Sequence, residues 1–238
     1  MLLAIDTATD QASVALGVPG AEPLEENIGG VRRHAAALLP IIQDLLRRAG
    51  TSLNGVRGIV LSDGPGSFTG LRVGASVAKA LVQARNLPLW VAPSLMVRAA
   101  GVARDEELVL AIASALRGEV YAAAYQFFGD RIHTQLIRSV WRPKDLIEGS
   151  IRPHLVVGEA PVEILSALEN WIGRPAIGPP AGAPHAARLL DLVGRPGGAR
   201  LIAPGVQWEP VYGRPAEAQA RWEIAHGRSL PDSVGSPG

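Results

Sequence analysis

Asp63-Gly-Pro-Gly-Ser-Phe-Thr-Gly-Leu-Arg-Val-Gly74 is the stretch on which the fold turns. Before it, Val56 to Ser62 is β-branched and mostly apolar, the pattern of a buried strand; after it a helical segment extends to about Arg85. A strand, a glycine turn and a helix in that order make a βα corner. Gly64 and Gly66 flank Pro65 and allow backbone angles that a Cβ forbids, while Ser67 or Thr69 is placed to accept from the first free N–H groups of the helix. Such a corner either cradles an anion or turns the chain.

Outward from the corner, the rest of the chain alternates in kind. Leu2 to Ile5 reads as a buried strand ending at Asp6-Thr-Ala-Thr9, with Ala12 to Gly17 following at hairpin distance. Asp6 and the threonines either stabilise that turn by side-chain to backbone bonds or form a phosphate or magnesium loop. Val31 to Ala49 carries apolar residues at i, i+4, i+7, i+8, i+11, i+14, i+15 and i+18, and Gly50 is placed to cap this helix. Ala36, Ala37 and Ile41 widen its apolar surface toward a second covered face, and Pro40 is expected to kink or restart it. His34 reads as a capping or packing residue.

In the helix after the corner, Gly70, Gly74 and Ala78 recur at i, i+4 and i+8 with Ala75 beside them. Glycine weakens a helix, so the smooth strip has a reason: close packing on the chain's own sheet or first helix, or on a helix of another chain. Leu87 to Ala92 then reads as a strand and Pro93 to Gly101 as a short helix capped by Ser94.

Val102 to Glu107 is a charged connector and the expected boundary between a first domain, residues 1–105, and a smaller αβ domain, residues 106–228. Beyond it come strands at Leu108–Ala113, Arg117–Phe127 and Arg131–Val140, a helical turn at Pro143–Glu148, a strand at His154–Gly158, and helices at Pro161–Trp171 and His185–Val193. A last helix around Ala216 to His226 is expected to pack back on the first domain, and Ser229 to Gly238 to be a disordered tail.

Composition narrows the function. The 238 residues are 47% hydrophobic, enough for a sizeable core, and 23 basic against 22 acidic residues leave a net charge of +1. That balance supplies no electrostatic footprint for binding nucleic acid unaided. With no cysteine, disulfides, thiolate catalysis and cysteine-ligated metals are excluded. The N-terminus has no signal-peptide pattern and no apolar run is long enough to cross a bilayer, so a cytoplasmic location is expected.

Motifs for chemistry are mostly missing. The turn lacks the Gly-Lys-Ser/Thr ending of a Walker A loop, and Ser67 lacks the Gly-x-Ser-x-Gly setting of a nucleophile elbow. The five histidines show no metal-ligand spacing. Glu25-Glu26 and Glu106-Glu107 read as solvated faces, and Arg117 with Glu119 as a structural ion pair.

Leu3-Ala-Ile-Asp-Thr-Ala-Thr9, Gly64 to Gly74, Arg117-Gly-Glu-Val-Tyr121 and Pro210-Val-Tyr-Gly-Arg214 stand in the order seen in the bacterial TsaB (YeaZ) family, over about residues 1–215. The chain resembles the dimerisation subunit of tRNA threonylcarbamoyladenosine synthesis. The resemblance implies an α/β fold of the actin, sugar-kinase and Hsp70 type, with two αβ domains, the second degenerate. It also implies a vestigial phosphate loop at Asp6, Thr7 and Thr9.

Where the family usually reads Asp-Ala-Arg, this chain has Ser114-Ala-Leu-Arg117, so an acidic residue that would hold magnesium is missing. Ser94 and Arg98 fall where the catalytic paralogue carries its metal-binding histidines. The implied role is a noncatalytic scaffold with no cofactor of its own, ATP entering only at a complex interface. Its implied partners are the catalytic threonylcarbamoyltransferase paralogue (TsaD type), an ATPase subunit (TsaE type), a second copy when alone, and tRNA through the complex. The expected partner interface is Leu38, Ile41, Leu45, Gly70, Leu71, Gly74, Ala75 and Ala78. The alternative is an autonomous ATP-dependent phosphotransferase or ATPase of the same superfamily.

Overall fold

A computed structural model describes residues 1–29, 34–115 and 117–212, without the side chains of residues 34 and 35. The chain opens with an antiparallel meander of β1 (Leu2–Asp6), β2 (Gln11–Gly17) and β3 (Leu24–Gly29). Helix α1 (His34–Arg48) leads to β4 (Gly58–Ser62), which pairs parallel with β1. Helix α2 (Phe68–Arg85) returns the chain to β5 (Leu89–Ala92), parallel to β4, and α3 (Ser94–Val102) follows.

The next stretch builds a second sheet from β6 (Leu108–Ser114), β7 (Val120–Phe128) and β8 (Arg131–Trp141). It then adds α4 (Pro143–Glu148), β9 (Leu155–Glu159) parallel to β6, and α5 (Val162–Ile172). Helix α6 (Ala186–Leu192) and β10 (Arg200–Ile202) complete the described elements. The strand orders are β10-β5-β4-β1-β2-β3 and β8-β7-β6-β9.

Period-two alternation sets the layers. In β1, Leu3 and Ile5 join one core under α1 and α2, while Ala4 joins another that contains α3 and α6. In β6, Val109 and Ala111 face that same middle core, while Leu110 and Ile112 face a third one with Leu146 of α4 and Ile164 and Leu168 of α5. The order is therefore helix, sheet, helix, sheet, helix. Small residues, Ala4, Ala15, Ala92, Ala111 and Ala123, stand on the strand faces toward the middle layer and let α3 and α6 lie close. This is the mixed α/β architecture that the resemblance implied.

Several local expectations need correction. Glu25 and Glu26 are not merely solvated: they belong to edge strand β3, where Glu25 accepts from Ala187 N at 2.9 Å and Glu26 from Arg48 at 3.1 Å. β10 was too short to read. It and α6 pack on the first sheet although both lie in the stretch expected to form the second domain. Helix α1 runs through Pro40 without a break. Gly50, at φ +64°, donates to Arg47 O and Thr51 N to Leu46 O, which closes α1 as expected.

Ser94 does not cap α3. It is the first helical residue, and its hydroxyl donates instead to Pro65 O. Arg117 stands in the β6–β7 turn with φ +60°, and among the described residues no ion pair joins it to Glu119. Leu116, the segment around Ala216 to His226 and the tail Ser229 to Gly238 lie outside the described residues, as do Gly213 and Arg214 of the last motif.

The fit of α2 to β1 gives a direct test. A Cβ on Gly70 would lie 2.1 Å from Thr7 O, a backbone atom that cannot swing away, whereas a Cβ on Gly101, in α3, meets nothing within 4 Å. Gly70→Ala is expected to destabilise the protein by at least about 2 kcal/mol, while Gly101→Ala gains about 0.5–1 kcal/mol. Urea unfolding of both variants against the parent checks the contrast.

Candidate functional site

The glycine corner sits where five parts of the chain meet. β4 delivers Asp63, whose N–H bonds Ala92 O at 2.9 Å and whose carbonyl accepts from Val211 N at 2.7 Å. Gly64, at φ +98°, precedes a cis bond to Pro65 and accepts from Ser94 N at 3.0 Å. Ser67 N donates to Ala8 O at 2.7 Å, tying the corner to the β1–β2 turn, and Ser67 Oγ accepts from Gly70 N at 3.2 Å as the N-cap of α2. From the second sheet, Arg138 of β8 reaches across to Asp63 Oδ1 at 2.6 Å and Gly64 O at 3.0 Å. Backbone thus fills most of the space in which the corner would cradle an anion: a Cβ on Gly66 would meet Ala8 O at 2.2 Å, and one on Gly64 would meet Val211 O at 2.2 Å.

Beside the corner a cleft of about 500 Å³ opens between the two sheets. Thr9, Asp10, Pro65 and Phe68 line one side, Ser114, Tyr121 and Glu159 the other, and Arg98 the floor. Arg98 is buried and fully engaged in structure: it donates to Gly182 O at 3.1 Å and to Glu159 Oε1 at 2.8 Å, joining α3 to β9 and the loop after α5.

The expected phosphate-loop residues divide in two. Asp6 and Thr7 are fully buried beneath the cleft and do not line it. Asp6 Oδ1 accepts from Ala8 N at 3.0 Å, which holds the β1–β2 turn. Burial raises the Asp6 pKa above the ordinary carboxylate value, against the opposing pull of the Ala8 N–H, the nearby Ser62 hydroxyl and the charges of Arg98 and His185. Asp6 Oδ2, Thr7 Oγ1 and Ser62 Oγ make no hydrogen bond of normal geometry to the described residues. Thr9 does line the cleft, but its hydroxyl donates to Gln11 O at 2.9 Å and accepts from Gln11 N at 3.3 Å.

Each of these residues has a structural engagement of its own. Asp6 is buried with its pKa raised, the Thr9 hydroxyl bonds within its own turn, and Ser114 stands on the opposite wall of the cleft. Among the described residues no group of three or more His, Asp or Glu side chains is arranged to hold a metal ion.

The expected interface residues point the other way. Leu38 and Leu45 of α1 and Leu71, Ala75 and Ala78 of α2 are buried in the chain's own core, and Gly70 and Gly74 face the β1 end, where a Cβ on Gly74 would lie 2.3 Å from Thr7 Oγ1. Of the expected set only Ile41 keeps part of its surface. The glycine strip therefore packs on its own sheet, and the apolar surface of these helices that stays exposed lies elsewhere. Leu39 is 50% exposed on α1, and Ala37, Ile41, Val73 and Val77 are partly covered hydrophobics around the helix pair.

Sequence reasoning missed two features. Asp63–Arg138 links residues 75 positions apart and leaves no local signal. The segment from Ala203 to Tyr212 runs along α2: Lys79 pairs with Glu209 and stands 5.6 Å from the Trp208 ring centre, and Tyr212 lies 4.8 Å from Phe68 between centroids. The Pro210-Val-Tyr portion of the last motif was its only trace.

Comparisons with known proteins agree with this arrangement. The family model for "TsaD: tRNA N6-adenosine threonylcarbamoyltransferase" matches residues 21–159. The "tRNA threonylcarbamoyladenosine biosynthesis protein TsaB" of Escherichia coli (strain K12) is 41% identical over 127 residues, 52% of this chain and 54% of that protein. That match spans about half the length of the relative. The protein of the same name from Bacillus subtilis (strain 168) is 27% identical over 93% of this chain and 97% of its own length. Among solved structures, YeaZ from Pseudomonas aeruginosa superposes with a TM-score of 0.67 at 31% identity, over 81% of this chain and 90% of that one. No helix among the described residues is long and apolar enough to cross a membrane. With the fold, the glycine corner and a near full-length structural match in agreement, the chain belongs to the TsaB (YeaZ) family.

Proposed function

We propose that this chain is a noncatalytic scaffold subunit of a cytoplasmic tRNA threonylcarbamoyladenosine synthesis complex. In this reading it activates the catalytic threonylcarbamoyltransferase paralogue by heterodimerising with it through α1 and α2. A second copy occupies the same helices when the paralogue is absent, since related chains present related patches. An ATPase subunit joins the complex, and tRNA is engaged by the assembly.

The observation that carries the proposal is the divided surface of the helix pair. The inward faces of α1 and α2 are used up on the first sheet, yet Leu39 remains half exposed and Ile41, Val73 and Val77 partly exposed around them. A monomer gains nothing from this second apolar face, whereas a helix pair from another subunit would bury it. Support on the chemical side comes from the cleft: its most conspicuous charge, Arg98, is committed to Glu159 and Gly182, and Asp6 and Thr9 serve the β1–β2 turn. Asp6, Thr7 and Thr9 are on this reading the remnant of a phosphate loop, kept as a turn.

The interface test belongs on the outward face, because a charge at Gly74 would break the seat of α2 on Thr7. Val77→Glu is expected to weaken co-elution with the paralogue at least about tenfold while circular dichroism stays unchanged. A folded Val77→Glu chain that binds normally removes the interface assignment.

Asp6 separates the scaffold reading from the ATPase alternative. Its carboxyl binds a proton more readily folded than unfolded, so it costs stability as pH rises from the ordinary aspartate value through the raised folded value. Asp6→Asn is therefore expected to raise the Tm at pH 7 by about 2–4 °C, a gain that vanishes below about pH 4. Calorimetric titration of the isolated chain with Mg-ATP is expected to show no binding. Tight binding that Asp6→Asn abolishes would establish the ATPase reading instead.

A further inference from the structure

Helices α1 and α2 carry five lysine and arginine side chains, and four of them are engaged. Arg47 and Arg48 pair with Asp44, and Arg48 also with Glu26; Lys79 pairs with Glu209, and Arg85 donates to Asn54. Arg72 is the exception. It is exposed, and among the described residues it makes neither an ion pair nor a hydrogen bond. Glu209, on the segment that brings Tyr212 to α2, is already held by Lys79 and accepts from the Tyr212 hydroxyl at 3.3 Å.

The Arg72 guanidinium is nevertheless held in place. It stands 4.6 Å over the centre of the Phe68 ring and 5.9 Å from that of Tyr212, and the two rings lie 4.8 Å apart. Contact with two ring faces orients the planar group and removes part of the rotamer freedom that a loose arginine would lose on binding. Its N–H donors stay available for a planar acceptor with two oxygens, the geometry of a carboxylate.

The position of Arg72 joins it to the outward face of α2. Ser76 and Ala80 follow at i+4 and i+8, both exposed, and lie around the helix between Arg72 and the partly covered Val73 and Val77. Two small residues there let another helix come close. Arg72 does not line the cleft, although Phe68 and Tyr212 do.

Charge complementarity selects the occupant. A second copy of this chain offers no free acid from these helices: Asp44 is the only Asp or Glu on α1 or α2, and it is held by Arg47 and Arg48. Two copies paired through the same face would also bring two Arg72 cations onto one interface. We infer that Arg72 receives an Asp or Glu carboxylate from a helix of the catalytic paralogue, and so makes the α1/α2 face prefer that partner to a second copy. This rests on the interface reading above and adds to it the residue that sets the choice.

Sedimentation of the same variants, with and without the paralogue, tests it, and circular dichroism checks that each is folded. Arg72→Glu is expected to weaken paralogue binding at least about tenfold while self-association stays unchanged or tightens. Arg72→Gln removes the charge without adding an acid, so it keeps the test readable if Arg72→Glu disturbs the ring stack. Its binding to the paralogue is expected to be weaker than the parent's and less sensitive to added salt. If both Arg72 variants bind as tightly as the parent while Val77→Glu does not, the Arg72 inference fails and the interface reading stands; if Val77→Glu also binds normally, both fall. Equal losses in paralogue binding and self-association overturn the choice of partner. Normal assembly with weakened tRNA binding assigns Arg72 to an RNA phosphate and overturns the carboxylate.

Discussion

The close seat of α2 on the end of β1 constrains everything around it. Thr7 O and Thr7 Oγ1 occupy the points that Cβ atoms on Gly70 and Gly74 would need, and Ala8 O does the same at Gly66. The helix can approach this far only because three positions have no side chain, and the approach fixes the path of the β1–β2 turn through Ser67 N–Ala8 O. Once the turn and the helix are set, β4 and β1 lie parallel beneath α2, and Gly64 is positioned for Ser94 and Val211 to bond to the corner.

From that seat the two sheets are held by ion pairs that cross between them. Asp63 from the first sheet meets Arg138 from the second, and Arg98 from α3 meets Glu159 at the end of β9. In each pair one partner is almost completely buried, Asp63 at 4% and Arg98 at 2% side-chain exposure. Removing the other partner would strand a buried charge, so the pairs define the sheet-to-sheet geometry more than they add to stability. The cost is visible in the cleft, where Arg98 and Glu159 are engaged with each other in holding its walls.

The same economy explains which face of α2 the glycines serve. A glycine stripe on an apolar helix is a legitimate sign of close packing, but it does not say against what. Thr7 answers it from within the chain, and the strip is consumed there. The apolar surface that stays exposed lies one helical face away, at Leu39, Ile41, Val73 and Val77, and its sequence signature is only an apolar surface wider than a single core requires. Asp6 shows the converse case: an acidic residue in a turn reads as a ligand, while its burial and its bond to Ala8 N make it a structural acceptor.

By itself the sequence determined the βα corner, eight of the ten described strands and the helices, because burial alternates at two residues in a strand and at 3.6 in a helix and these periods are local. It did not reveal β3, an edge strand whose burial does not alternate cleanly, or β10, which at three residues is shorter than any period can register. It also carried the family motifs, since they cluster where backbone geometry permits few residue types. Only the tertiary structure decided which face of α2 the glycines serve, that Arg138 locks Asp63, and that the 203–212 segment lies along α2. Each of these depends on a contact between residues far apart in the chain, and the chain's local chemistry is the same whether such a contact forms or not.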